Sequence, residues 1–529
     1  MLHKPHFRAA ALRCASLIAV SAGLAAALPQ VARAQDNAAA DTQGDFGGQI
    51  VVTAQKRAEL ARDVPITVSA LRGRDLFTIG VDEFDEVAAF IPGLIVQEQS
   101  VNNPGFVIRG ITSDSGSAQI APRVTIYYNG VDVSRSRGSY FDLFDIEQIE
   151  VVKGPQATLF GTAATIGAIS VRTARPVPRL EAAAAVTVGN FNARQLNLMV
   201  NNGNDQVAAR LAGVFKKRDG FIENIAGRPG TASQRIVGID QDDLNGFEQY
   251  GIRGSVRVFP APDATIDLVL SYEKQNNPGT AFVSGTIPNS QGGTSPFGPA
   301  ELGGSPFSRE ALGAPRLGIE REVVDANLTF EFPLTDRLTL TSITGYRQFN
   351  SLEIFDADGS ALFYLEFAED ARGDQFSHET RVTFTGERFR GFAGANYFRE
   401  DGTQAVPFST DEGTFIACGP FAAFNPLRQI VAGGLRVPLN QVCAGPNVLA
   451  NASAASTILT TALPGPTRGV VPYSSIFTNG GINSIFSAFV DGTVVLGDLE
   501  LTAGLRYLTE RRESTYFARQ PASAIFASA

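Results

Sequence analysis

The chain has 529 residues, 44% hydrophobic and 18% charged, with 53 glycines, 37 phenylalanines and no tryptophan. That length holds about three to four ordinary domains or one very large barrel. Outside the first 30 residues no apolar run reaches the ~18 residues a spanning helix needs, which excludes a helical membrane protein.

Residues 1–34 read as a signal peptide. Lys4, Arg8 and Arg13 form a basic start, Ala15 to Leu28 an apolar stretch, and Ala32-Arg33-Ala34 a cleavage pattern cut after Ala34. Cys14 precedes the apolar stretch, which argues against lipid attachment. Removing the signal takes four of the 44 basic residues, so 40 face 53 acidic ones, a net charge of −13. Such an acidic exported chain, without a basic cluster, is no nucleic-acid binder. Only His378, Cys418 and Cys443 then remain of the histidines and cysteines, too few for a His/Cys metal cage. His378 sits in the alternating run Gln375-Phe376-Ser377-His378-Glu379 and reads as a wall histidine, not a triad member. No catalytic residue, metal site or cofactor is assigned.

Residues 35–63 form a polar linker that contains the extended run Ile50-Val51-Val52-Thr53-Ala54. Residues 64–180 carry mixed signals. They include a short helix from Phe84 to Phe90 ending at Ile91-Pro92-Gly93, then Phe106-Val107-Ile108-Arg109-Gly110. A hairpin spans Val124 to Val133, turned at Asn129-Gly130, a dipeptide suited to two-residue turns. Ile149-Glu150-Val151-Val152-Lys153-Gly154-Pro155 follows. The glycine-rich stretch after it lacks the Gly-Lys-Ser/Thr ending of a phosphate loop.

From residue 181 to 529 the pattern becomes that of transmembrane strands, about ten residues each with one apolar face. In 264–273, Ala264, Ile266, Leu268, Leu270 and Tyr272 alternate with Thr265, Asp267, Val269, Ser271 and Glu273. Eleven strands are predicted near 181–189, 194–202, 206–217, 247–258, 263–274, 321–332, 336–349, 374–385, 388–400, 482–495 and 498–512. The alternation slips at Ser342 to Ile343. Short turns and long connections (218–246, 275–320, 350–373, 401–481) alternate, the asymmetry of outer-membrane barrels. An odd strand number cannot close such a barrel, so the chain reads as the front part of a longer protein.

Taken in order, Ile91-Pro92-Gly93, Ile108-Arg109-Gly110, Tyr128-Asn129-Gly130-Val131 and Ile149 to Pro155 resemble the plug domain of TonB-dependent outer-membrane receptors. Ile50, Val51, Val52, Thr53 and Ala54 resemble the box that pairs with TonB. The resemblance implies a mainly β fold, an N-terminal α+β plug (64–180) inside a transmembrane antiparallel β-barrel whose family has 22 strands. It also implies a cell outer membrane location, with TonB, membrane lipid and a bulky solute as partners. The implied function is active uptake, most readily of an iron–siderophore complex. Vitamin B12, a carbohydrate or another bulky solute is the alternative, as is an inactive truncated surface-binding fragment. Ligand contacts are expected at the loop tips Ser113, Asp114, Ser115, Arg135 and Arg137. The two arginines suit an anionic ligand or pair with acidic wall residues. Cys418 and Cys443, in the longest outer loop, are expected to form a disulfide.

Overall fold

A computed structural model describes residues 50–519, 523 and 525, except 54–55, 57–58, 65, 99, 113–122, 134–135, 156–163, 233–240, 296, 303–316, 420–423, 445–446 and 463–470. The N-terminal part holds ten strands. They are β1 (Val51–Val52), β2 (Glu59–Leu60), β3 (Val68–Arg72), β4 (Leu94–Glu98), β5 (Pro104–Ile108), β6 (Ile111–Thr112), β7 (Val124–Tyr128), β8 (Val131–Asp132), β9 (Ile146–Lys153) and β10 (Gly167–Thr173). A five-stranded sheet runs in the order β3-β9-β10-β7-β8, beside a three-stranded sheet β4-β5-β6. The hairpin turns at Asn129 and Gly130 with φ of 49° and 83°, the left-handed pair that a type I′ turn requires. The helix Gly73–Ile79 ends at Gly80, whose φ is 71°. The core between the sheets and the helix Phe84–Ala89 is built on Phe84, whose ring meets Phe106 and Phe141 edge-on at 5.6 and 5.1 Å.

An eleven-stranded antiparallel sheet follows. Its strands are β11 (Glu181–Gly189), β12 (Ala193–Gly203), β13 (Val207–Arg218), β16 (Phe247–Ala261), β17 (Ala264–Asn277), β18 (Gly318–Thr335), β19 (Leu338–Asp356), β20 (Glu366–Thr385), β21 (Phe389–Asp411), β22 (Pro472–Leu496) and β23 (Leu499–Arg519). The intervening β14 (Ile222–Glu223) and β15 (Asp243–Leu244) form a small hairpin in an outer loop. All eleven predicted strands are present in the predicted order. They differ at their long-loop ends, where β21 runs on to Asp411 and β22 starts at Pro472. The sheet curves around the plug, and among the described residues β11 and β23 are its unpaired ends.

Alternate residues sort to two faces. Leu198, Val200, Ile252, Val490 and Leu505 are exposed on the outer face, as a lipid-facing surface demands. Ser271, on the other face, is hydrogen-bonded to the plug's Tyr128 at 3.2 Å. The apparent slip at Ser342 and Ile343 is no break, since β18 and β19 pair through it in unbroken register. Ile343 faces inward and packs on the plug core, which explains an apolar residue on the lumen side. At Gly345 a Cβ would sit 2.4 Å from Val131, so a bare backbone lets the plug hairpin lie against the wall. No helix among the described residues is long and apolar enough to cross a membrane.

Between β21 and β22 lies a helical unit, with helices Glu412–Cys418, Asn425–Leu435 and Val448–Ala462. Ile416, Val431, Ala455 and Leu459 form its own core. Asp411 ties it to the sheet, accepting hydrogen bonds from the Thr414 and Val471 amides at 2.9 and 2.7 Å and from the Ser456 hydroxyl.

Candidate functional site

The extended run at 50–53 lies at the short-turn end of the sheet. Val51 and Val52 pair antiparallel with Leu60 and Glu59, and Val52 is buried. The Thr53 amide donates to both carboxylate oxygens of Glu150, at 3.0 and 2.9 Å, and its hydroxyl donates at 3.0 Å. Gln148 Nε2 reaches the Val51 carbonyl at 2.8 Å and Glu150 Oε1 at 2.9 Å. Burial raises the pKa of Glu150, opposed by Arg172, whose guanidinium stands 3.8 Å away, and by the bonds from Thr53. Glu150 is thus the acceptor that plug strand β9 presents to the run. Ala54 lies outside the described residues.

The next turn of the linker is held by the wall. Lys56 pairs with Glu379 on β20 and stands 4.7 Å above the Phe489 ring. Its burial lowers the ammonium pKa to about 8, against the pull of Glu379. Arg390, at the start of β21, is 3.8 Å from Glu59.

Higher in the lumen, wall arginines grip the plug segment 137–145. Arg321 donates to the carbonyls of Arg137 and Tyr140 at 2.8 and 2.7 Å. Arg253 donates to the Phe144 carbonyl at 2.7 Å with its guanidinium 4.2 Å over that ring, and Arg347 donates to the Gly138 carbonyl. Lys216 pairs with Asp142 and Asp82 at 2.8 and 2.7 Å. Asp142 has its pKa raised by burial in spite of that partner. Charged donors onto backbone carbonyls are strong hydrogen bonds in so dry a setting.

At the long-loop end Ser100 donates to Glu353 at 2.9 Å, and the Ser351 hydroxyl donates to Asn102 at 2.7 Å. Of the predicted ligand contacts, Ser113, Asp114, Ser115 and Arg135 lie outside the described residues. Arg137 is 6% exposed and engages Glu369 on β20 in a two-pronged pair, the wall-pairing alternative raised by the sequence. Gln404 donates to the same carboxylate at 2.7 Å. Cys418 and Cys443 are joined, with Cα atoms 5.1 Å apart. His378 lies on β20, its ring nitrogens 2.8 and 3.0 Å from the Thr344 and Thr380 hydroxyls. Asp356, Asp358 and Glu366 bring one carboxylate oxygen each within 4.8 Å of one another at the outer ends of β19 and β20. The Asp358 carboxyl is pushed up to about 6 by burial.

The sequence missed Glu150 and Gln148 as anchors of the 50–53 run. Polar and apolar residues are mixed along β9, so nothing local singled these two out, and their partners lie 97 residues away.

Residues 61–168 match the family described as TonB-dependent Receptor Plug Domain. The pesticin receptor of Yersinia pestis is 33% identical over 156 residues, 28% of this chain and 21% of that protein. The ferric enterobactin receptor PirA of Pseudomonas aeruginosa is 24% identical over 326 residues, 56% of this chain and 42% of that protein. The chain thus spans less than half the length of these relatives. The solved ferric yersiniabactin uptake receptor FyuA from Yersinia pestis overlays with a TM-score of 0.53 at 16% identity, covering 86% of this chain and 62% of that one. That likeness is one of fold.

Proposed function

Because the chain is of the TonB-dependent receptor type, with the plug at residues 61–168, we propose that it works in the outer membrane as an energised importer of a scarce bulky solute, most readily an iron–siderophore complex. The relatives' names supply the solute class: a ferric enterobactin receptor and a ferric aerobactin receptor stand among them. The observation that carries the mechanism is the docked run at 50–53. It sits at the short-turn end, tied to plug strand β9 through Thr53 and Glu150, while the plug's other end meets the long-loop end through Ser100 and Asn102.

A plug seated this firmly blocks the lumen, so solute binding alone moves nothing through. TonB adds a strand to residues 50–54, taking affinity from main-chain hydrogen bonds. Tension on that strand is delivered first to Glu150 and β9, which pairs with β3 and β10 in the five-stranded plug sheet. No covalent step is required. Ser113, Asp114, Ser115 and Arg135 are assigned to solute contact. Arg137 is assigned instead to its wall partner Glu369.

The test is binding of the purified periplasmic domain of TonB to the receptor and to a Val52→Pro variant. Proline removes a main-chain donor and resists strand pairing, so TonB binding is expected to fall while the receptor's solute affinity stays. Equal TonB binding by both would overturn the assignment of residues 50–54.

A further inference from the structure

The outer ends of three neighbouring strands bring oxygen atoms to one place. In the register of the sheet Asp356 on β19 stands opposite Glu366 on β20, and Glu366 stands opposite Ser409 on β21. Residues directly opposite in an antiparallel pair share a face, so two carboxylates and a hydroxyl point the same way. Asp358, in the connection from β19 to β20, adds a third carboxylate. One oxygen from each of the three carboxylates lies within 4.8 Å of the others.

This is not a solvated acidic patch. Asp356 and Glu366 are 2% and 1% exposed, and Asp358 is half-buried. Carboxylates buried side by side are costly unless a cation joins them. The Gly359 amide holds Asp356 at 3.2 Å, and the Ser360 and Leu365 amides hold Asp358, each at 3.0 Å. Such bonds from the surrounding chain orient carboxylates that ligate a metal.

The observation that points to a ligand is Ser409. It is fully buried on the carboxylate face, and its hydroxyl oxygen meets no hydrogen-bond partner among the described residues. A buried hydroxyl left that way is unfavourable, and a cation among the four residues would take its oxygen as a ligand. The donor set is all oxygen, which suits calcium, magnesium or manganese and not zinc or copper. Calcium takes oxygens at about 2.3–2.6 Å, so those on opposite sides of its sphere stand about 4.6–5.2 Å apart. Magnesium demands a near-ideal octahedron and is usually held by only one or two carboxylates. Three carboxylates and a hydroxyl, from three strands and a loop, fit calcium better.

Two outer segments meet the connection beside this cluster. The Ser284 amide donates to the Gly359 carbonyl at 2.8 Å, and the Asp411 amide donates to the Phe363 carbonyl at 2.9 Å. We propose that Asp356, Asp358, Glu366 and Ser409 hold a calcium ion at the long-loop end of the wall, and that this ion fixes the connection 357–365. The inference goes beyond the importer reading and needs no particular solute.

The test is equilibrium dialysis of the detergent-purified full chain, cleared with a chelator, against radiolabelled calcium, with hydrogen exchange followed in parallel. A single saturable site with a Kd at or below about 10⁻³ M is expected, the range of extracellular calcium modules. Calcium should slow exchange in 357–365, and equimolar magnesium should not displace it. Asp356→Asn with Glu366→Gln should weaken binding at least about a hundredfold and abolish the slowing, and Ser409→Ala should weaken binding about tenfold. Absence of saturable binding by the intact chain overturns the proposal. So does binding that survives in the double variant, the behaviour of anionic lipid carried through purification. Displacement by equimolar magnesium, binding without slowed exchange, or unchanged affinity in Ser409→Ala overturns it as well. If the double variant fails to fold, Ser409→Ala decides, because it leaves all three carboxylates in place. TonB binding and solute binding are read separately, so failure here leaves the importer reading standing.

Discussion

Replacing Glu150 with glutamine isolates the contact that docks residues 50–53. The Thr53 amide and hydroxyl both donate to this carboxylate, at 2.9 to 3.0 Å. Hydrogen bonds to a charged acceptor contribute ~1.5–3 kcal/mol each. Glutamine keeps one acceptor oxygen of the same shape, so the variant forfeits about one such bond, or roughly ten- to a hundredfold in the docking equilibrium. The plug as a whole should not suffer, because burial already opposes the charge on Glu150. A nitroxide on Ile50→Cys reports the run directly, since Cys418 and Cys443 are joined and do not take the label. The expected result is a new mobile component in the spin-label spectrum with the thermal unfolding midpoint unchanged within a few degrees. An immobile spectrum in the glutamine variant would refute the docking role of Glu150. Loss of both docking and overall stability would mark the residue as part of the plug core instead.

Three further outcomes are expected. Arg321→Met removes two charged donors from the carbonyls of Arg137 and Tyr140 and should loosen the plug seat by ~3–5 kcal/mol, read as faster hydrogen exchange in segment 137–145; unchanged exchange would contradict the anchoring role. Reducing the bond between Cys418 and Cys443, 25 residues apart, should cost the helical unit ~3.5 kcal/mol in the chain-entropy model. Exchange in 412–462 would then accelerate, with β19 and β20 unaffected. Lys56 has a docked pKa of about 8, below its ordinary 10.5, so the docked linker binds its proton less well than the released one. Docking therefore strengthens as pH rises through about 8 and reaches its full strength above 10.5. Label mobility at position 50 should fall from pH 8 to 10, and a rise would contradict the assignment.

The wall was legible in the sequence because lipid on one side and a plug on the other force a strict two-residue alternation. Where that constraint stops, the signal stops. β21 continues to Asp411 and β22 begins at Pro472, above the apolar belt, where pairing continues but neither face must be apolar. Ile343 broke the pattern for the opposite reason, since the plug offers it a dry surface. The helical unit escaped notice because Val448–Ala462 is a run of small and β-branched residues without a clear amphipathic stripe. Its shape comes from Asp411 and the disulfide as much as from local preference. The plug motifs were readable as an ordered series, and the Asn129-Gly130 hairpin folds as its turn chemistry dictates. The tie between Thr53 and Glu150 was not, since nothing local announces a partner 97 residues away. Arg137 illustrates the limit of residue type as a guide, because a cation near a loop tip serves a ligand or a wall carboxylate equally well until Glu369 is placed beside it.

Energised uptake tests the central claim most directly. Cells carrying the chromosomal gene, intact or with Val52→Pro, would be starved of iron and given radiolabelled ferric 2,3-dihydroxybenzoate, with and without an uncoupler. Accumulation that requires the intact gene, collapses with the uncoupler and is lost in Val52→Pro is the expected result. Accumulation that persists in the proline variant or ignores the uncoupler would contradict an import driven through residues 50–54.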